Sequence, residues 1–288
     1  MASTLRFDTA LYGSAILLDR LLGFFMLPLL TRAISPADYG AWTQTAVTSG
    51  LLVSLVLYGA PTVVVRYFSG TAAAQVRRRY FLRLGGLAAL AFGACALLAL
   101  ALAEPLAQVA YGESGRHGLV PLLLVLLAAD ASTEFCTAWL RTAGRIGSVA
   151  AALVLRSAVR YGVVLLLVGD AVRPLADWLG NYAAAQLGLA TALALATAWA
   201  LRDAGGSPPP AAGVPPAPGL HELLAYATPL VALSLFTALN GLLDRFLLVQ
   251  WLGLDSVAVY AAAVSLGSIP AAFYSVLGYT LFPVLARH

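Results

Sequence analysis

The chain has 288 residues, 61% of them hydrophobic and only 10% charged, with a formal net charge of +4. Soluble globular proteins carry about 25% charged residues, so a soluble fold is excluded. All 17 basic residues are arginine, scattered among apolar runs and not gathered on one polar face, which excludes a nucleic-acid binder.

The apolar runs are continuous and about 20 residues long, the length of a membrane-crossing helix and not the alternation of a barrel strand. The predicted fold class is therefore all-α, a polytopic membrane helical bundle. Eight spans are predicted, at 9–31, 40–65, 81–103, 118–140, 147–168, 177–201, 223–252 and 256–286. The first is long, carries Asp19-Arg20 and lacks a small-residue cleavage site, so it is expected to remain as a helix. After it comes a capped turn, Ser35-Pro36-Ala37-Asp38, and then Tyr39-Gly40 opens the second span. Serine before proline at the first helical position is a helix-start signal. Connection 66–80 holds Arg66, Arg77, Arg78 and Arg79 and reads as a basic loop. It is expected to set topology and touch lipid headgroups, with docking of a partner as the lesser reading. Cys95 and Cys136 lie in spans and read as small packing residues.

Segment 202–220 is rich in glycine and proline, from Gly205-Gly206-Ser207 through Pro208-Pro209-Pro210 to Pro218. Such a run is extended and semi-rigid. It divides the chain into a six-helix bundle, 1–201, a linker, 202–220, and two further helices, 221–288. Arginine placement sets the orientation. With the N-terminus in the cytoplasm, Arg6, Arg66, Arg77, Arg78, Arg79, Arg83, Arg141, Arg145, Arg202 and Arg287 lie inside, against Arg32, Arg116 and Arg173 outside. Six spans return the chain to the starting side, so a parallel pseudo-repeat is allowed. An offset of 221 places Tyr39 on Tyr260 and Tyr58 on Tyr279. An offset of 225 places Asp19-Arg20 on Asp244-Arg245, and the difference falls in the Ser35-Pro36 turn.

No phosphate loop, zinc-protease helix, paired metal-spaced cysteines or nucleophile elbow is present, so neither an enzyme nor a cofactor is expected. His117, His221 and His288 lie at span ends or the terminus. The informative residues are the ionisable ones within spans, where charge is expensive and is retained for pathways. They are Asp19, Arg20, Asp130, Glu134, Arg156, Arg160, Asp244 and Arg245. Asp130 and Glu134 share a face of the fourth helix, as do Arg156 and Arg160 of the fifth. The hairpin between them predicts two layers centred on position 145, Glu134 with Arg156 and Asp130 with Arg160. These four either neutralise one another or leave an arginine for an anion. Adjacent Asp19 and Arg20 cannot face the same way, so Arg20 is assigned to a cavity and Asp19 to a structural partner. Asp244-Arg245 reads either as a further site or as an interfacial pair that snorkels. Pro28, Pro61, Pro229, Pro270 and Pro283 read as kinks within spans or as hinges. Tyr39, Trp42, Trp178, Tyr182 and Trp251, near span ends, read as interface anchors.

Two stretches carry a family resemblance. Pro28-Leu29-Leu30-Thr31-Arg32 leading to Ser35-Pro36-Ala37-Asp38-Tyr39-Gly40 resembles the opening of the polysaccharide transporters. Asp244-Arg245-Phe246 through Tyr260 to Leu281-Phe282-Pro283-Val284-Leu285 resembles their seventh and eighth helices. These are the Wzx-type flippases of the multidrug, oligosaccharidyl-lipid and polysaccharide exporter superfamily. Such members usually have twelve or fourteen helices, so an eight-span chain is expected to be a truncated one. The resemblance implies transport of an undecaprenyl-pyrophosphate-linked oligosaccharide across the bacterial cytoplasmic membrane for cell-surface polysaccharide such as O-antigen. Membrane lipids and polysaccharide-assembly proteins are the implied partners. Under that reading Arg20, Arg156, Arg160 and Arg245 bind substrate, while Asp19, Asp130, Glu134 and Asp244 are structural or ion-coupling. A drug or cation antiporter of the same superfamily stays open, as does a membrane-embedded glycan polymerase or transferase.

Overall fold

The computed structural model describes residues 2–69, 74–168, 174–202 and 219–285. It contains α1 (Ala2–Ala33), α2 (Pro36–Leu57), α3 (Ala60–Phe68), α4 (Ala74–Ala101) and α5 (Ala103–Tyr111). A 3-10 turn (Ser114–Leu119) leads into α6 (Val120–Thr142), followed by α7 (Ile146–Val168), α8 (Leu175–Arg202) and α9 (Leu220–Leu285). No strand occurs among the described residues. Seven stretches of them are long and apolar enough to cross a membrane. The last belongs to α9, which bends at Gly253 (φ 77°, ψ 178°). That bend separates the seventh and eighth predicted spans, so the chain is an all-α polytopic membrane bundle.

Local sequence explains where the helices start and stop. The Ser35 hydroxyl accepts the Asp38 N–H at 3.1 Å, with Pro36 next to it opening α2. Asp38 in turn meets Arg116 at 3.3 Å, which ties the 3-10 turn to this cap. Between α6 and α7, the Arg145 N–H bonds the Leu140 carbonyl and the Gly144 N–H bonds that of Arg141, both at 3.0 Å. With Gly144 at φ 70° this is a Schellman stop, which closes orphan carbonyls with a left-handed glycine.

Helix α6 is the hub. It packs against α2, α3, α4, α7 and α8, and Leu123, Leu127, Ala138 and Trp139 on it are fully buried. Phe68, Tyr80, Phe81 and Phe135 gather about Trp139. Helix α1 lies on α7, and α2 lies on α9. The periphery is apolar and uncovered: Leu90 and Leu97 of α4 and Phe236 of α9 are each 72% exposed. Lipid tails suit such a surface because every helical backbone group is already paired.

Three expectations change. The second span does not run unbroken from 40 to 65. Tyr58 and Gly59 adopt left-handed φ values of 44° and 69°, and a new helix, α3, starts there with Pro61 in its first turn. Pro61 therefore sits where its missing N–H costs nothing, not as a mid-helix kink. The basic loop is largely helix: Arg66 lies in α3, and Arg77, Arg78 and Arg79 lie at the start of α4. The stretch after α4 is also structured. Tyr111 of α5 reaches the Thr45 hydroxyl at 3.0 Å. Burial raises its phenol above the ordinary range, opposed by Thr45 and the charge of Arg116. Of the predicted linker, 203–218 lies outside the described residues, as does His288.

Candidate functional site

Helix α9 is fastened to the rest of the bundle near its start and near its bend at Gly253. At the end bearing Tyr58, the Tyr58 hydroxyl meets that of Thr228 at 3.0 Å. There too the Arg66 guanidinium lies 4.7 Å from the centre of the Tyr226 ring. At the end bearing Ser35, the Gln250 amide donates to the carbonyls of Gln108 and Val109 at 2.7 and 3.1 Å. Gly40 there faces the Leu254 carbonyl so closely that a Cβ would fall 2.2 Å from its oxygen.

Two cavities lie between these fastenings. The larger, about 560 Å³, is lined by Asp130, Glu134, Arg156 and Arg160, with α9 contributing Ser234. That volume is within the usual range for ligand sites, roughly 300–1,000 Å³. It reaches Gly59, Pro61 and Thr62 at the Tyr58 end. The smaller, about 270 Å³, holds Arg245 with Tyr39, Thr43 and Ser265. Met26, Trp42 and Ala46 line both.

The four charges of the α6–α7 hairpin do line one cavity, but their pairing differs from expectation. Arg156 pairs with Asp130, not Glu134. Glu134 turns to Arg141 at 3.9 Å and stays half exposed. The Schellman stop sets the offset: the observed pair is symmetric about Ala143, two residues short of the predicted centre. Asp130 also accepts the Ser49 hydroxyl at 2.8 Å, and the Gln186 amide donates to the Arg156 carbonyl at 3.4 Å. Asp130 thus has two partners, and the charges of Arg156 and Asp130 offset each other.

Arg160, one turn further along α7, is different. Its guanidinium has Tyr182, Asp19 and Asp130 as electrostatic neighbours. Its Nε–H is buried with no hydrogen-bond partner among the described residues. A buried donor left unmade costs about 1–3 kcal/mol, more when charged. Asp19 itself is held by the Ser157 hydroxyl, joining α1 to α7. The Arg20 side chain lies outside the described part of the structure.

Asp244 and Arg245 do not form a snorkelling pair. Asp244 accepts the Tyr260 hydroxyl at 2.8 Å, and Arg245 enters the smaller cavity. The aromatic residues also depart from expectation. Trp251 is 77% exposed, but Tyr39, Trp42, Trp178 and Tyr182 are buried. Trp42 packs on Tyr182 with ring centres 4.7 Å apart. Sequence position places these residues near span ends. Only their facing, inward on α2 and α8, shows that Tyr39, Trp42 and Tyr182 serve the cavities. The signal available was one face of α2, on which buried Tyr39 and Trp42 and exposed Ala46 follow at spacings of three and four.

No group of three metal-binding side chains occurs among the described residues. The family model described as polysaccharide biosynthesis protein matches residues 5–288. No curated protein and no solved structure matches the chain.

Proposed function

Since the chain belongs to the polysaccharide biosynthesis protein family, whose members are membrane transporters of flippase type, we propose that it moves a lipid-linked oligosaccharide between leaflets. The substrate class is an undecaprenyl-pyrophosphate-linked glycan, and the membrane is the bacterial cytoplasmic one with the N-terminus inside. A pyrophosphate cannot cross hydrocarbon unaided, and a guanidinium offers forked donors to its oxygens. The observation that carries the reading is Arg160, which lines the larger cavity with one buried donor unmade. Arg245 is the second anion contact, at the Ser35 end. Arg156 supports the site by holding Asp130.

The same observation weighs against a cation antiporter. Asp130 is engaged by Arg156 and Ser49, and Glu134 has Arg141 at 3.9 Å. A cation would have to displace those partners. The test is glycan translocation in reconstituted vesicles. Arg160→Ala should lower the rate by on the order of 100-fold, the loss of a charge-assisted contact of about 2–3 kcal/mol, with protein abundance unchanged. Arg160→Lys should restore only part, because an ammonium lacks the planar fork. Wild-type transport by Arg160→Ala would remove the anion site.

A further inference from the structure

Trp42 is positioned to do more than fill space. Its indole is 4% exposed and forms part of the wall of both cavities. The larger cavity extends from it toward the Tyr58 end, and the smaller toward Tyr39 and Arg245. One turn along α2, the shared residue is Ala46, which is too small to separate them. On the α1 side the shared wall is Met26, a flexible side chain. The rigid part of the divider is therefore one indole ring.

That ring is held by Tyr182 of α8, at 4.7 Å. Tyr182 is buried and lines the larger cavity only. Arg160 lines the same cavity and is its electrostatic neighbour. The order in space is thus Arg160, Tyr182, Trp42 and then the compartment of Arg245.

We propose that Trp42 is the partition between two arginine-bearing compartments, and that Arg160 latches it through the Tyr182 hydroxyl. An anion of the phosphate class that engages Arg160 competes for the guanidinium and releases Tyr182. Trp42 then loses the support that keeps its ring across the opening, and the two compartments join. The carrier's own charged group unlocks its passage from Arg160 to Arg245. An empty protein keeps the path closed. This deepens the transport reading and rests on it.

The test is thiol access, which needs no transport. In a chain with Cys95→Ala and Cys136→Ala, Thr43→Cys reports the smaller cavity and Ser54→Cys the larger one. A charged, membrane-impermeant methanethiosulfonate is added to sealed vesicles on the side of the Tyr58 end. Ser54→Cys should react readily and Thr43→Cys slowly. Adding W42A should raise the Thr43→Cys rate about tenfold, and Y182F, which keeps both rings, should do likewise, because reaction scales with the open population. Inorganic pyrophosphate should accelerate it with Arg160 present and leave it unchanged in R160Q. An unchanged rate in either W42A or Y182F overturns the proposal. Y182F decides the matter alone if W42A does not reach the membrane. Failed glycan translocation with these access changes intact would instead count against the transport reading.

Discussion

The two cavities beside Trp42 follow different charge plans. The larger is lined by two carboxylates and two guanidiniums, so its formal charges cancel. Among the described residues, the smaller has Arg245 and no acidic lining residue, because Asp244 is turned to Tyr260. An anion entering the first competes with internal counter-ions. In the second it meets an excess of positive charge at low dielectric. A charged interior is therefore two different things along one path. One compartment is stable when empty, and the other gains most when an anion arrives.

That contrast predicts unequal responses to removing an arginine. Arg156→Ala should have the largest effect on stability. It strands Asp130, at a cost of about 3–5 kcal/mol, and adding Asp130→Asn should recover most of it. Thermal unfolding in detergent measures both, and a stable single variant would break the contrast. Arg245→Ala strands no acid, so stability should stay within about 0.5 kcal/mol. Translocation should fall by about tenfold, or 1.4 kcal/mol, in the same vesicle assay. A destabilised Arg245→Ala would mean that the smaller cavity is internally balanced after all. The smallest effect belongs to Glu134→Gln. Its pair with Arg141 is long and half exposed, so unfolding should shift by no more than about 0.5 kcal/mol. A larger shift would place Glu134 in the balance of the larger cavity.

Much of this architecture is legible from residues alone. Apolar runs of bilayer length mark the helices, and Ser35-Pro36 marks the start of α2. The cost of intramembrane charge singles out the side chains that line the cavities. Pairing is less legible, because it depends on how many residues the hairpin turn consumes. A Schellman stop at Gly144 shifts the partner of Asp130 from Arg160 to Arg156. The break at Tyr58 escapes for a related reason. A tyrosine in the left-handed region is uncommon, and tertiary contact with Thr228 accompanies it here. Trp42 and Tyr182 mislead because distance along the chain locates depth in a bilayer but not facing. In a membrane protein an inward and an outward aromatic have the same hydrophobicity, and only neighbours tell them apart.

Gly40 has a mechanical consequence. With no side chain between α2 and the Leu254 carbonyl, the two backbones bear directly on each other, as a fulcrum bears on a beam. Sliding there is obstructed, but tilting is not. Helix α2 runs 22 residues from that end, about 33 Å at 1.5 Å per residue. A ten-degree tilt of α9 about Gly40 would thus displace its far end by roughly 6 Å, a full turn's rise, while Leu254 hardly moved. The contacts Tyr58–Thr228 and Arg66–Tyr226 sit at the long end of this lever. A methyl group at residue 40 would shim the bearing and alter the swing of contacts a bilayer's width away.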